Sequence, residues 1–285
     1  MTIQLFLITP AGAIPLPIPP QATSAHDLFD HLPVGVYTHF RTFNHNQFLG
    51  LAAHLDRLEQ SLALAGIDYR LDRPGLCRAL DQLCTAYPLP DARLRIDVLA
   101  APYPASQSQL LVALYPFAPV PAAAYQNGVK VAIAPQLHRA NPLAKTADFV
   151  IARRDHTPSR PDIYEYLLLD EAGAILECSS SNFYAIRDGA VWTAGRGVLE
   201  GITRKIILQL VAEQGYNLRL EAPPLAEMNH FSEACLSSSS RGIVPIVQIE
   251  DQLIGPGRPG PITRQLMTAY NNYVAQAIRP AGDTP

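Results

Sequence analysis

The sequence predicts an α+β chain of two domains, a small N-terminal one and a larger C-terminal one. Three observations predict it. The first part of the chain reads as two strands, two helices and two more strands; a Pro- and Ala-rich segment follows; and short antiparallel strands dominate the rest. The 285 residues also lie within the roughly 250–300 at which one hydrophobic core stops growing.

Residues 1–20 read as a short strand (4–9) and then a Pro-rich turn, and residues 35–43 carry the β-branched and aromatic content of a second strand. Leu55, Leu58 and Leu62 recur at helical spacing before Gly66, which sets a helix over about 51–66. A second helix, about 74–86, leads into strands 93–100 and 109–115, a hairpin around the Pro/Ser-rich residues 101–108. Residues 116–127 (PFAPVPAAAYQN) combine three prolines with three consecutive alanines, the composition of a semi-extended connection. The domains are therefore set at 1–115 and 128–285, with 116–127 as linker. Beyond it come strand 129–134, a short helix 147–154, strands 166–170, 182–187 and 190–193, an amphipathic helix 203–214 that stops at Gly215, and a final helix 263–277.

Composition narrows the function. With 48% hydrophobic and 16% charged residues the chain has ample material for a core. A net charge of −3 with no Lys/Arg run longer than two leaves no footprint for nucleic acid. The longest apolar stretch, 110–125, is broken by three prolines and is too short for a membrane span. A cytoplasmic protein is expected. Cys77, Cys84, Cys178 and Cys235 show neither CxxC nor metal-ligand spacing and read as small core residues, so no metal is expected.

Five features carry chemistry, though each alone more often has an ordinary explanation. Lys145 is one of three lysines, in the mainly apolar context NPLAKTADFV, where partial burial would depress its pKa and free the amine as a nucleophile. Glu177 ends a strand in LECSSSNFYAI; a carboxylate beside a pyridine nitrogen keeps that nitrogen protonated and the ring an electron sink. Gly201-Ile202-Thr203-Arg204 opens the best helix, with Thr203 as N-cap candidate and first-turn N–H groups able to bind phosphate. Ser237 to Ser240 offer hydroxyl and backbone donors to the same anion. Arg57, in His54-Leu55-Asp56-Arg57-Leu58, could grip a phosphate in bidentate fashion.

Taken in order, the HxxRL helix, Lys145, Glu177 with Asn182 five residues on, LxGITR, and the serine run before Ile243-Val244-Pro245 resemble the fold-type IV pyridoxal phosphate enzymes, over nearly the whole chain from about Gly35 to Tyr270. That family holds branched-chain and D-amino-acid aminotransferases, some R-selective amine transaminases, and aminodeoxychorismate lyase. The resemblance implies a small α/β N-terminal domain and a larger domain with a β-barrel-like core. It also implies pyridoxal 5'-phosphate bound as a Schiff base on Lys145, which moves the proton between substrate and cofactor, and Glu177 at the pyridine nitrogen. Arg57, Ile202, Thr203, Ser238 and Ser239 match its phosphate cup, and Leu199 the apolar residue on the ring face. Ser240 falls where the family's backbone meets the substrate carboxylate, and Tyr37, Thr38 and Arg95 are further substrate candidates. A homodimer is implied as well.

The sequence departs from the family in ways that bear on substrate. Pro33-Val34-Gly35-Val36-Tyr37-Thr38-His39 lacks the first acidic residue of a GDGVFE-like segment and has Thr38 in place of its Glu, a threonine that resembles the lyase branch. ECSSSN is nearest the EGSSSN of D-amino-acid aminotransferases, and KTADF matches neither the branched-chain pattern nor the KHLN of lyases. The expectation is an aminotransferase acting on an amino acid of branched-chain or D type and a 2-oxo acid. Aminodeoxychorismate lyase, forming 4-aminobenzoate, and a catalytically idle binding protein of the same fold are the alternatives.

Overall fold

The computed structural model describes residues 3–18, 27–28, 32–33, 35–104, 106–156 and 160–283. Of the segments singled out above, residues 1–2 and 19–20, Val34 and Ala105 lie outside that set. The chain divides into two compact units, one of Met1–Ala118, Ala144–Asp148 and Ala277–Pro285, the other of Pro119–Leu143 and Phe149–Gln276.

The first unit is built on β1 (Gln4–Thr9), β2 (Gly12–Leu16), β3 (Val36–Phe43), β4 (Gln47–Phe48), α1 (Leu51–Leu64), α2 (Arg73–Ala86), β5 (Ala92–Val98) and β6 (Leu110–Pro116). With a closing strand, Arg279–Pro280, they form an antiparallel sheet in the order Arg279–Pro280, β4, β3, β5, β6, β1, β2. Strand β2 was not expected from a stretch containing Pro15. It is tolerated because β2 is the sheet's last strand, where a residue without an N–H leaves no ladder bond unmade.

Alternation along β3 and β5 divides the sheet by chemistry. Val36 and Phe40 of β3, Leu94, Ile96 and Val98 of β5, and Val112 and Leu114 of β6 share one core with Leu55, Leu58 and Leu62 of α1 and Leu76 and Leu80 of α2. Each fully buried leucine there contributes roughly 1.5–3 kcal/mol. The intervening positions Tyr37, His39, Arg95 and Asp97 point to the opposite face, with Tyr37 paired to Asp97 and His39 to Arg95. Helix α2 starts where the Asp72 carboxylate accepts from the Gly75 N–H at 3.0 Å, with proline in the first turn, a standard combination of cap and pre-set φ.

In the second unit the elements are α3 (Ala122–Asn127), β7 (Val129–Ile133), α4 (Asp148–His156), β8 (Glu165–Leu169), β9 (Ile175–Cys178), β10 (Asn182–Arg187), β11 (Ala190–Trp192), α5 (Ile202–Glu213), β12 (Leu218–Arg219), β13 (Glu233–Ser238), β14 (Gly242–Ile249), β15 (Gln252–Leu253) and α6 (Pro261–Ala277). Six strands close on themselves as β10-β13-β14-β7-β8-β9, the ring completed by the pairing of Glu177 with Asn182. Two joints, β14–β7 and β7–β8, are parallel. One alternate set of residues from all six strands, among them Val131, Leu167, Ile175, Phe183, Leu236 and Val244, makes a single apolar cluster. Closure leaves these strands no unpaired edge.

The sequence reading needs two corrections. The connection read as semi-extended contains α3, a helical turn that Pro121 starts and Gly128, at φ 80°, ends; consecutive alanines have the highest helix propensity, and proline suits a helix start. Thr203 is not the N-cap of α5. The helix begins at Ile202 with Gly201 at the cap and no side chain bonded to it, because the Thr203 hydroxyl is turned toward Ser239 at 3.4 Å. The four cysteines are buried and unbridged. Among the described residues no helix is long and apolar enough to cross a membrane.

Candidate active site

In the first unit, the segment Ala144–Asp148 is fastened to the start of β3. The Tyr37 N–H donates to the Lys145 carbonyl at 3.0 Å and the Ala147 N–H to that of Gly35 at 2.9 Å. Gly35 is needed here, since a Cβ would lie 2.0 Å from the Val98 carbonyl oxygen of β5. The Lys145 N–H donates to Ser61 Oγ at 3.0 Å, and that hydroxyl donates to the Arg57 carbonyl at 2.7 Å. The lysine backbone is thus held from two sides.

Its ammonium lies 4.7 Å from the Tyr37 ring centroid, and the Arg95 guanidinium lies 4.2 Å from the same centroid. Both distances are in the range at which a cation is drawn to an aromatic face. Arg95 grips Asp97 through Nε–Oδ2 at 2.8 Å and Nη2–Oδ1 at 2.7 Å. Burial pushes the Asp97 carboxyl up, and the guanidinium works against that rise. Next to this pair the Tyr115 hydroxyl meets His39 Nε2 at 2.7 Å.

Thr38 belongs to the other face. It is 0% exposed, and its Oγ1 lies 2.8 Å from His54 Nδ1 and 3.4 Å from Arg57 Nη2. The alternation of β3 that presents Tyr37 turns Thr38 away from it, so Thr38 meets Arg57 and His54 instead of Tyr37 and Arg95. Burial, and then the positive charges of Arg57, Lys145 and His39, hold the His54 pKa well below its ordinary 6.5.

In the second unit, Glu177 is buried on β9. Its Oε1 accepts from Arg139 Nε at 2.9 Å and its Oε2 from the Leu199 N–H at 3.3 Å. The Arg139 guanidinium also sits 3.7 Å from the Phe149 ring centroid. Asn182 Nδ2 donates to the Leu199 carbonyl at 2.9 Å, while a Cβ on Gly201 would lie 2.2 Å from Asn182 Oδ1. The carboxylate, Leu199 and Asn182 therefore belong to one hydrogen-bonded frame, and Gly201 at the start of α5 is packed against it. That start carries no capping side chain, and the hydroxyls of Thr203 and Ser239 meet beside it, a donor set suited to an anion.

A further ion pair, with its carboxylate buried and its guanidinium partly so, braces the serine turns. Arg241 Nη1 donates to Glu165 Oε2 at 2.7 Å and Arg241 Nε to Ser238 Oγ at 2.8 Å. Glu165 in turn accepts from the hydroxyls of Ser180 at 2.9 Å and Ser181 at 3.1 Å. The turn after Glu177 and the turn holding Ser238, Ser239 and Ser240 are tied together.

The structure thus groups Tyr37, Arg95 and Lys145 in the first unit, with Thr38 and Arg57 on the core side. In the second it groups Glu177, Leu199, Ile202, Thr203, Ser238, Ser239 and Ser240 around the α5 start and the serine turns. Asp97, Arg139, Glu165 and Arg241 were not singled out from sequence. For Asp97 a signal existed, an acid two residues from Arg95 and so on the same side of one strand, and for Glu165 a charge heading the apolar run EYLLL; for Arg139 and Arg241 only their partners reveal them.

Comparison with known proteins bears on this arrangement. A family model described as amino-transferase class IV matches residues 35–249. The chain is 27% identical over 250 residues to a D-alanine aminotransferase of Bacillus licheniformis, covering 84% of this chain and 87% of that protein. It is 35% identical over 112 residues to a branched-chain-amino-acid aminotransferase of Pseudomonas aeruginosa, covering 39% of this chain and 36% of that protein. The solved structure of a T.th. branched-chain amino acid aminotransferase with pyridoxamine 5'-phosphate has the same mixed α+β fold, with a TM-score of 0.79 at 19% identity over 98% of each chain. Neither the lyase nor an idle binding protein is favoured by these relatives. Matched by the family model over most of its length, the chain belongs to the class IV aminotransferases.

Proposed function

We propose that this transaminase uses pyridoxal 5'-phosphate, held covalently through Lys145 Nζ, to exchange an amino group between an amino acid of branched-chain or D type and a 2-oxo acid. The observation that carries the reading is the frame in which the buried Glu177 carboxylate, Leu199 and Asn182 are hydrogen-bonded, with Gly201 at the uncapped start of α5 packed against Asn182. It supplies in one piece an acidic partner for a ring nitrogen, an apolar side chain, and donors for a phosphate. The pyridoxamine 5'-phosphate in the T.th. structure and the relatives' activities support the same cofactor and substrates.

When bound, this cofactor supplies an electron sink that stabilises negative charge at the substrate α-carbon. In this reading Lys145 Nζ, freed once the substrate amine takes its place on the cofactor, would take up the proton from that carbon and return it on the cofactor side. Glu177 keeps a proton on the ring nitrogen, its own buried charge compensated by Arg139. Thr203, Ser238, Ser239 and the N–H groups at Ile202 and Thr203 bind the phosphate, and Arg57, steadied by Thr38, adds a cation. Leu199 excludes water from the ring face, Ser240 receives the substrate carboxylate, and Tyr37 and Arg95 line the substrate side. The reading includes a homodimer in the cytoplasm, which light scattering and cell fractionation check.

The test is spectroscopic. Purified protein should be yellow, lose that colour with a D- or L-amino acid in the absence of an acceptor, and regain it with a 2-oxo acid. Lys145→Ala should lack the covalent chromophore and lose at least about 10²–10⁴-fold in rate, the span of general acid–base catalysis. A protein that keeps its colour through a panel of L- and D-amino acids overturns the reading.

A further inference from the structure

Arg204 stands in the first turn of α5, the positive end of the helix dipole, where a cation is disfavoured. It is only 7% exposed, and that turn holds no acidic residue to balance it. Its Nη2 donates to the Ala194 carbonyl at 2.7 Å, while its Nε is buried without a partner. Among the described residues no carboxylate pairs with it. The guanidiniums of Arg139 and Arg241, by contrast, are answered by Glu177 and Glu165. The charge of Arg204 is felt at Tyr184, a fully buried residue of β10 whose hydroxyl lies 2.9 Å from that of Ser237, at the head of the serine turn. Burial pushes the Tyr184 pKa up, and the Ser237 hydrogen bond and the Arg204 charge work against that rise.

We propose that the cofactor's phosphate is the missing counter-charge of Arg204, so that this buried guanidinium strengthens phosphate binding at the α5 start from behind the hydroxyl and N–H donors that touch the anion. The proposal rests on the reading that places the phosphate at that start. Burying an ion without a partner is costly, and an anion that arrives at the same helical turn recovers part of the cost. Burial also leaves the attraction poorly screened. A phosphate ester brings roughly −1.5 to −2 charges at neutral pH, whereas Tyr184 and Ser237 line the guanidinium with uncharged hydroxyls and cancel nothing. The bond to Ala194 has a separate, structural effect: it ties the first turn of α5 to the stretch that carries Leu199.

The experiment titrates the full-length apoprotein with pyridoxamine 5'-phosphate and with pyridoxamine, which share a ring and differ in the phosphate. The readout is the ratio of the two dissociation constants, because a displaced Leu199 stretch weakens both ligands alike and leaves the ratio alone. Arg204→Gln keeps a donor for the Ala194 carbonyl and removes the charge; it should cut the preference for the phosphorylated compound by about tenfold or more, the worth of one interaction with a charged group. Arg204→Lys keeps the charge and should keep most of the preference. Without ligand, Arg204→Gln should resist denaturant at least as well as the wild type, since it removes an uncompensated buried ion. Where that variant does not fold, Arg204→Met is measured in its place, with the same expectations. Failure of both to fold would show the cation to be compensated within the apoprotein, and it overturns the proposal. So does an unchanged ratio, an unliganded variant less stable than the wild type, or a lysine variant that loses the preference as fully as the glutamine one. A wild type that binds the two compounds equally removes the phosphate site itself, and that outcome is distinct from all of these.

Discussion

In the first unit the residues assigned to the substrate side, Tyr37 and Arg95, lie within strands, one position away from core residues; in the second the residues assigned to the cofactor lie in the turns and helix start at the ends of barrel strands. Tyr37 and Thr38 are neighbours in β3, yet one faces Arg95 and Lys145 and the other is sealed against α1 with His54 and Arg57. Glu177, Ser179 to Ser181 and Ser237 to Ser240 instead cluster at strand ends, while Phe183, Leu236 and Val244 fill the barrel. A site interleaved with a core couples function to stability at single-residue spacing. A site made of turns depends on the ion pairs that hold the turns.

The comparison is broken most severely by Arg139→Met. It leaves the Glu177 carboxylate buried without its cation, and removing one partner of a buried pair costs about 3–5 kcal/mol. Denaturant unfolding of the apoprotein measures it, and Arg139→Met/Glu177→Gln should recover much of the loss. A cost under about 1 kcal/mol, the scale of an exposed pair, would mean that charge balance does not hold this turn.

Thr38→Val is next. It strips His54 and Arg57 of a shared buried hydroxyl at the cost of an unsatisfied polar group, about 1–3 kcal/mol. The same denaturant titration reads it, with cofactor retention measured in parallel. Unchanged stability together with unchanged cofactor affinity would remove the coupling claimed for the first unit.

The smallest effect is in pH. Burial lowers the folded-state pKa of His54 below the unfolded 6.5, so on acidification the unfolded chain takes up a proton that the folded one refuses. The stability this provides is complete above pH 6.5 and is lost as pH falls toward the folded pKa, with a slope approaching about 1.4 kcal/mol per pH unit. His54→Gln should flatten stability across pH 5–6.5 relative to the wild type. An equal slope in both proteins would locate the acid sensitivity elsewhere.

Period and punctuation made most elements legible. Leucines spaced for a helix marked α1, and β-branched and aromatic runs marked β3 and β10, because both patterns are local consequences of burying one side of a regular element. Strand β2 was hidden by Pro15, whose cost depends on whether a neighbour needs its N–H. The face that Thr38 occupies was hidden too, since a strand's alternation is visible in sequence but the identity of the inner face is not.

Lysine, glutamate, helix start and serine run are rare groups in a fixed order, and residue type alone bears on what they can do; the sequence determined that much, together with the α+β class. Only folding could decide that Arg139 compensates Glu177, that Arg241 and Glu165 clasp two serine turns, and that Asp97 occupies Arg95. Ion pairs of this kind join residues dozens of positions apart or on one strand face, and their strength comes from a burial that no local stretch of chain can supply.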